Sequence, residues 1–329
     1  MRRGVFVVVA AIAAFACNEA IGAELITLRV GQVPSTVRSI SSLHFAIGER
    51  EGFYAQQGIK LELVPIEGGT DKMVAALDRG AVELTQTATP YFIQAVLAGS
   101  SAVAVAAETA NPVYSLIAKP EITSFADLKG KLVGLSLPID TISISMRKLL
   151  ALKGLKEGDF QVKELVGTPV RFACLKEGTC DAVPLGQPDD FNAIDQGFVR
   201  LGVSTEAVAN FEFTVVVVRR DWADAHQEAL TGVVRGLAES FRFIHAAANR
   251  DAVSKAIVDT TGASDKAARA ILALYFEPER GVMPKAAELD LKGLAQVIAF
   301  MGEAGVLKAP FPEPARFVDQ RYLRAAGVE

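Results

Sequence analysis

Histidine, cysteine and tryptophan are scarce in this 329-residue chain, which has three, three and one of them. The scarcity narrows its chemistry. Two of the histidines, His226 and His245, fall on or just before a long helical pattern, where solvated or packed states are the usual outcome. A G-x-S-x-G elbow, an H-E-x-x-H pair, a P-loop and a complete dinucleotide fingerprint are all missing, so no organised set of catalytic groups emerges. Basic tracts and aromatic residues interleaved with basic ones are missing too. With a net charge of −4 the chain as a whole repels phosphate backbones, so nucleic acid is not an expected partner. Low-complexity segments and short repeats are absent, and past the first two dozen residues no apolar run is long enough to span a bilayer.

What is present describes a soluble, exported protein. Half the residues are hydrophobic and 22% are charged, an ordinary globular composition with length for two domains. Arg2-Arg3, the apolar run Val5 to Cys17 and the small residues Ile21-Gly22-Ala23 form the three regions of a secretory signal peptide, residues 1–23. Two alternatives are a buried N-terminal helix and lipoprotein processing at Cys17, which Ala14-Phe15-Ala16 fits poorly. Loss of the leader leaves a net charge of about −5. Export places Cys174 and Cys180 in an oxidising compartment, where neighbouring cysteines pair. A helix ending near Gly178 and a strand starting at Asp181 bring them within disulfide reach. The competing roles are a metal site, which lacks two further ligands nearby, and a catalytic thiol. No metal or cofactor is expected.

The most informative stretch runs from Leu25 to Tyr91. Leu25 to Val30 alternates apolar and polar residues as a strand does. The polar loop Gln32 to Ser42 follows, then a helix through Leu43, Ile47, Phe53 and Tyr54, a stop at Gly58, and a second strand, Lys60 to Pro65. This unit sets a hydroxyl-rich loop at a helix start, where free N–H groups receive anionic or polar ligands. The pattern repeats with Glu67-Gly68-Gly69-Thr70-Asp71, the helix Lys72 to Arg79, the strand Ala81 to Thr85 and the turn Thr87-Ala88-Thr89-Pro90.

GFYAQQGIKLELVPIEGG, Gly52 to Gly69, with the elements that follow it, resembles periplasmic substrate-binding proteins of ABC importers. The branch is the one that binds sulfonates, nitrate, taurine and the pyrimidine precursor of thiamine. Ile122 to Lys131 (ITSFADLKGK) and Gly178 to Pro188 (GTCDAVPLGQP) also resemble that family. The resemblance implies an α/β protein of two three-layer domains joined by a two-strand hinge, of periplasmic binding protein type II. Residues 24–113 with 217–329 would form the first domain, and 114–216 an inserted second one. Ligands of such sheets sit outside the strands' carboxyl ends, so two facing edges make a cleft that closes by hinge bending.

The expected ligand-binding residues are Ser35, Thr36, Arg38, His44, Gly69, Thr70, Thr87 and Thr89 from the first domain. From the second they are Thr141, Ile142, Ser143 and Gln187. Arg38 either pairs with a carboxylate or sulfonate as a fork or is solvated, and His44 either meets ligand or packs in the helix. The hydroxyls after Ser136 either cap a helix through Asp140 or Thr141 or serve ligand. Tyr91, Phe92 and Phe191 offer an apolar wall. Glu67, Asp71 and Asp140 are conceivable acid/base groups and equally plain caps or loop carboxylates. The resemblance implies a non-enzymatic, monomeric periplasmic binder. It would deliver a small anionic or polar solute (sulfonate, carboxylate or pyrimidine-like) to an ABC permease in the inner membrane. The alternatives are an enzyme like the thiamine-pyrimidine synthase, whose histidine-rich iron site is not matched here, and a ligand sensor for a membrane receptor.

Overall fold

The computed structural model describes residues 24–275 and 282–328; the leader, including Cys17, lies outside them. Ten strands alternate with helices: β1 Ile26–Gln32, β2 Ile59–Pro65, β3 Leu84–Ala88, β4 Ala102–Thr109, β5 Ser115–Ala118, β6 Leu132–Leu135, β7 Gln161–Glu164, β8 Ala182–Leu185, β9 Val199–Val203 and β10 Thr214–Arg219. They form two five-stranded sheets, ordered β2-β1-β3-β10-β4 and β7-β6-β8-β5-β9. Four strands of each sheet run in one direction, three of them paired parallel, while β10 and β5 run antiparallel to both their neighbours. Each sheet thus takes in one strand that arrives from the other half of the chain, which is the type II arrangement. β4 and β8 are buried throughout, as expected of strands covered on both faces. Among the described residues no helix is long and apolar enough to cross a membrane.

The chain passes between the sheets twice, through residues 110–114 and 207–213, and the two passages are tied together. Phe211 N donates to Asn111 Oδ1 at 2.8 Å, Tyr114 N to Ser204 Oγ at 2.9 Å, and Ser204 Oγ to Pro112 O at 2.7 Å. The apolar pattern from Phe211 reads as one strand, yet ladder pairing begins only at Thr214. The whole of β10 lies in the first sheet, so the expected boundary between 216 and 217 falls inside a strand. Alternation marks burial, whereas pairing starts where the partner strands β3 and β4 become available.

The first helix is locked to the long C-terminal one. Gly58 ends the GFYAQQG segment in the left-handed region, φ 72°, and Gly262 ends the helix Arg250–Thr261 at φ 71°, as the C-cap role of glycine requires. Tyr54, with no exposed surface, lies between Gly48 of the helix Leu43–Arg50 and Gly236 of the helix Gln227–His245. A Cβ at Gly48 would overlap the Tyr54 ring and Ser240 Oγ, and a Cβ at Gly236 would overlap the same ring. Gly48→Ala is therefore expected to destabilise by about 1–3 kcal/mol, read as a lower midpoint in urea at unchanged slope. An unchanged midpoint would show that the ring can retreat.

Cys174 and Cys180 form a disulfide with Cα atoms 5.3 Å apart, joining the helix Thr168–Lys176 to the turn before β8. The closed loop is short, so the chain-entropy gain is only about 2 kcal/mol. Reduction, or paired Cys174→Ser and Cys180→Ser substitution, is expected to lower the unfolding free energy by that amount, read as a lower denaturation midpoint.

Candidate functional site

A cavity of about 310 Å³ lies between the carboxyl ends of the two sheets. The first half contributes the loop after β1, Gly69, Thr70 and the end of β3. The second contributes Ser136, Asp140 and Ile142, the segment Val166–Pro169 with Arg171, and the segment Gly186–Asp189. The volume suits a small solute, near the lower end of the roughly 300–1,000 Å³ usual for small-molecule sites. The halves meet around it. Thr70 Oγ1 donates to Asp140 Oδ2 at 3.3 Å, and at the rim Lys148 reaches Glu303 at 2.8 Å and Lys266 reaches Asp195 at 3.3 Å. These rim pairs are exposed and worth little each.

The cavity's dominant charge is Arg171, a side chain only 1% exposed on the helix Thr168–Lys176. Its Nε donates to Pro184 O at 2.7 Å, Nη1 to Leu165 O at 3.1 Å and Nη2 to Thr168 Oγ1 at 3.0 Å. All three acceptors are neutral, and two of the five guanidinium N–H groups are left over. Among the described residues no carboxylate forms an ion pair with it. Burial lowers its pKa, while Tyr114, Asp140 and Asp189 nearby oppose that; a guanidinium stays charged regardless.

The acids respond oppositely. Burial raises the pKa of both Asp140 and Asp189, because low dielectric disfavours the carboxylate. Asp140 is also committed, accepting from Ile142 N at 2.8 Å as N-cap and from Ser136 Oγ at 3.2 Å. Arg38, exposed in the first loop, adds a second cation to the lining. Tyr114, whose phenol burial pushes up to about 12, and Phe213 supply an edge-to-face aromatic wall at 6.1 Å.

Ser35, Thr36, Arg38, Gly69, Thr70, Thr87, Ile142 and Gln187 all line this cavity. Four expected residues do not, for separate reasons. His44 is fully buried under Phe241, ring centroids 5.0 Å apart, because two short 3-10 turns at Pro34–Thr36 and Ile40–Ser42 use up the polar loop before the helix starts. Thr89 donates to Glu212 O at 2.6 Å and to Phe213 O at 3.1 Å, fastening the helix Thr89–Leu97 to the return passage. Thr141 and Ser143 flank Ile142 in the first turn of the helix Thr141–Leu152. With about 100° between successive residues, the turn that aims Ile142 at the cavity aims its neighbours elsewhere, and both hydroxyls are buried without a partner. Tyr91, Phe92 and Phe191 are also off the wall, as are Glu67 and Asp71.

Arg171, Gln86, Ser136, Thr168, Asp189 and Thr214 were not expected in the cavity. Arg171 carried a legible signal. It sits on the same helical face as Cys174 and Leu175, three and four residues on, and a cation on an apolar stripe calls for a buried counter-charge or ligand.

Comparison with known proteins adds to this geometry. The family model described as NMT1/THI5 like matches residues 40–250. No curated protein matches the chain. Several solved structures share its fold. The periplasmic nitrate-binding protein NrtA from Synechocystis PCC 6803 superposes with a TM-score of 0.76 at 16% identity, covering 92% of this chain and 89% of that one. The alkanesulfonate-binding protein SsuA from Xanthomonas axonopodis pv. citri, bound to MOPS, gives 0.70 at 18%, covering 91% and 99%. The desulfurization enzyme DSZB gives 0.63 at 15%, covering 91% and 98%. At such identities the likeness is one of fold.

Proposed function

This chain belongs to the NMT1/THI5-like family, and from that premise we propose that it is the solute-binding component of an ABC-type importer, working outside the inner membrane. It captures a small organic anion between its two halves and presents the closed form to a permease. The observation that carries this reading is Arg171, a permanent charge buried in the cavity wall and held only by neutral acceptors. An uncompensated buried charge is costly. A solute acid group entering opposite the two unused N–H donors offsets that penalty and favours closure by the difference in affinity between the open and closed forms. Ser35, Thr36, Arg38, Gly69, Thr70 and Thr87 would meet the solute from one side, and Ile142, Gln187 and Arg171 from the other. The proposed division keeps an inserted second half that begins at 114, with the return passage at 207–213 and β10 onward in the first half. The solute-binding neighbours support this function, and the leader pattern supports a periplasmic location.

The test is a thermal-shift screen of the mature protein against sulfonates, aliphatic and aromatic carboxylates, pyrimidines and inorganic anions, since a ligand of the native state raises the melting temperature by mass action. A strong shift with one acid class supports the reading. The desulfurization enzyme shows that the fold also carries catalysis, so turnover of the shifting compound, or no shift with any anion, would overturn it.

A further inference from the structure

Behind the cavity wall of the first half lies a layer of buried polar side chains. Gln32 ends β1, Gln86 lies in β3, Glu108 in β4, and His44 packs beside them. Only Gln86 of this group reaches the cavity, with Thr214 of β10 beside it. Gln86 Nε2 donates to Glu108 Oε1, so the amide nitrogen faces the carboxyl group and the amide oxygen faces away. That oxygen is buried and has no hydrogen-bond partner. Gln86 is 6% exposed and Thr214 8%. Burial raises Glu108 to about 8 and lowers His44 to about 3. At neutral pH their 4.0 Å approach therefore joins two uncharged groups, and nothing charged competes for the Gln86 amide.

We infer that Gln86, oriented by Glu108, is a donor-reading subsite, and that the solute is a small organic acid with an N–H or O–H group at the end away from its acid function. This rests on the proposed role of Arg171 and adds to it. The buried guanidinium accepts the acid end from the second half. A buried carbonyl oxygen repels that same acid group but welcomes an amino, hydroxyl or amide donor from the other end. A site built around a hydrogen bond to the ligand discriminates strongly against an analogue lacking the group, because the protein atom is then left unpaired. Gln86 is accordingly a specificity-determining residue.

The experiment is calorimetric titration at pH 7 with matched pairs: ethanesulfonate against 2-hydroxyethanesulfonate, propanoate against 3-hydroxypropanoate, and benzoate against 4-hydroxybenzoate. The wild-type protein is expected to bind the hydroxylated member of at least one pair about 10-fold or more tighter. In Gln86→Met the preference should shrink to about 2-fold or less. Equal binding of both members by the wild-type protein overturns the inference and leaves the anion reading standing; so does a preference that survives Gln86→Met. Failure of every acid to bind overturns both. The wild-type comparison decides the matter even if Gln86→Met does not fold.

Discussion

Arg171→Met is expected to weaken capture of the solute by about 2–5 kcal/mol, roughly 30- to 5,000-fold in Kd. The reasoning starts in the unliganded protein, where the guanidinium has no carboxylate partner and three neutral acceptors. Methionine fills similar length with an apolar chain. It removes a desolvated cation while leaving Pro184 O, Leu165 O and Thr168 Oγ1 without their donor. These effects oppose one another, so the change in apo stability should stay within about 2 kcal/mol. The solute's acid group, in contrast, would be desolvated against nothing. Arg171→Lys keeps the charge but replaces the planar fork with a point donor, and an intermediate loss is expected. Calorimetry with the best compound from the screen, alongside urea unfolding of each apo protein, separates the two contributions. Unchanged affinity in Arg171→Met would move the anion site elsewhere, to Arg38 first.

Much of this architecture could be read where the chemistry of an element's ends is explicit. The strand expected over Lys60 to Pro65 forms as Ile59–Pro65, since Gly58 marks where it begins. Gly58 and Gly262 stop their helices for the same kind of reason. The site was less legible because it depends on rotation and on neighbours far away in sequence. Hydroxyls at positions 141 and 143 look alike in sequence to any residue facing the cleft, yet one turn of helix selects Ile142 between them. His44 stands three residues past Ser41, the last lining residue of the loop, and that difference puts it in the core. Arg171 was hidden by its surroundings in the sequence, where a cysteine three residues on drew the helix into a disulfide argument. Glu108 was hidden at the end of a wholly apolar strand, where a single carboxylate reads as the exposed terminus. Its burial depends on β10, which arrives more than a hundred residues later to cover it.

Glu108→Gln is expected to stabilise the protein, and the gain should grow with pH. Burial raises the Glu108 carboxyl from an ordinary 4.5 to about 8, so the folded protein holds a proton there that the unfolded chain releases. A raised folded pKa makes the group's contribution complete below about pH 4.5. It declines as pH rises and is gone above about pH 8. Glutamine has no proton to lose and keeps an acceptor for Gln86 Nε2. The two proteins should match near pH 4.5, diverge by on the order of 3 kcal/mol at pH 7, and stop diverging above pH 8. Asp140, Asp190 and Glu212 are raised by burial in the same direction, whereas Glu83 and Asp181 are lowered with help from Arg29 and Lys119. The pH profile of either protein alone therefore mixes many groups, and only their difference isolates Glu108. Urea midpoints measured at half-unit steps from pH 4.5 to 9 give that difference. A flat difference, or a Glu108→Gln protein less stable at every pH, would mean that Glu108 is ionised in the fold and that His44 beside it carries the matching proton. The wall behind Gln86 would then be a charged pair, and the amide it orients would face the solute beside an anion.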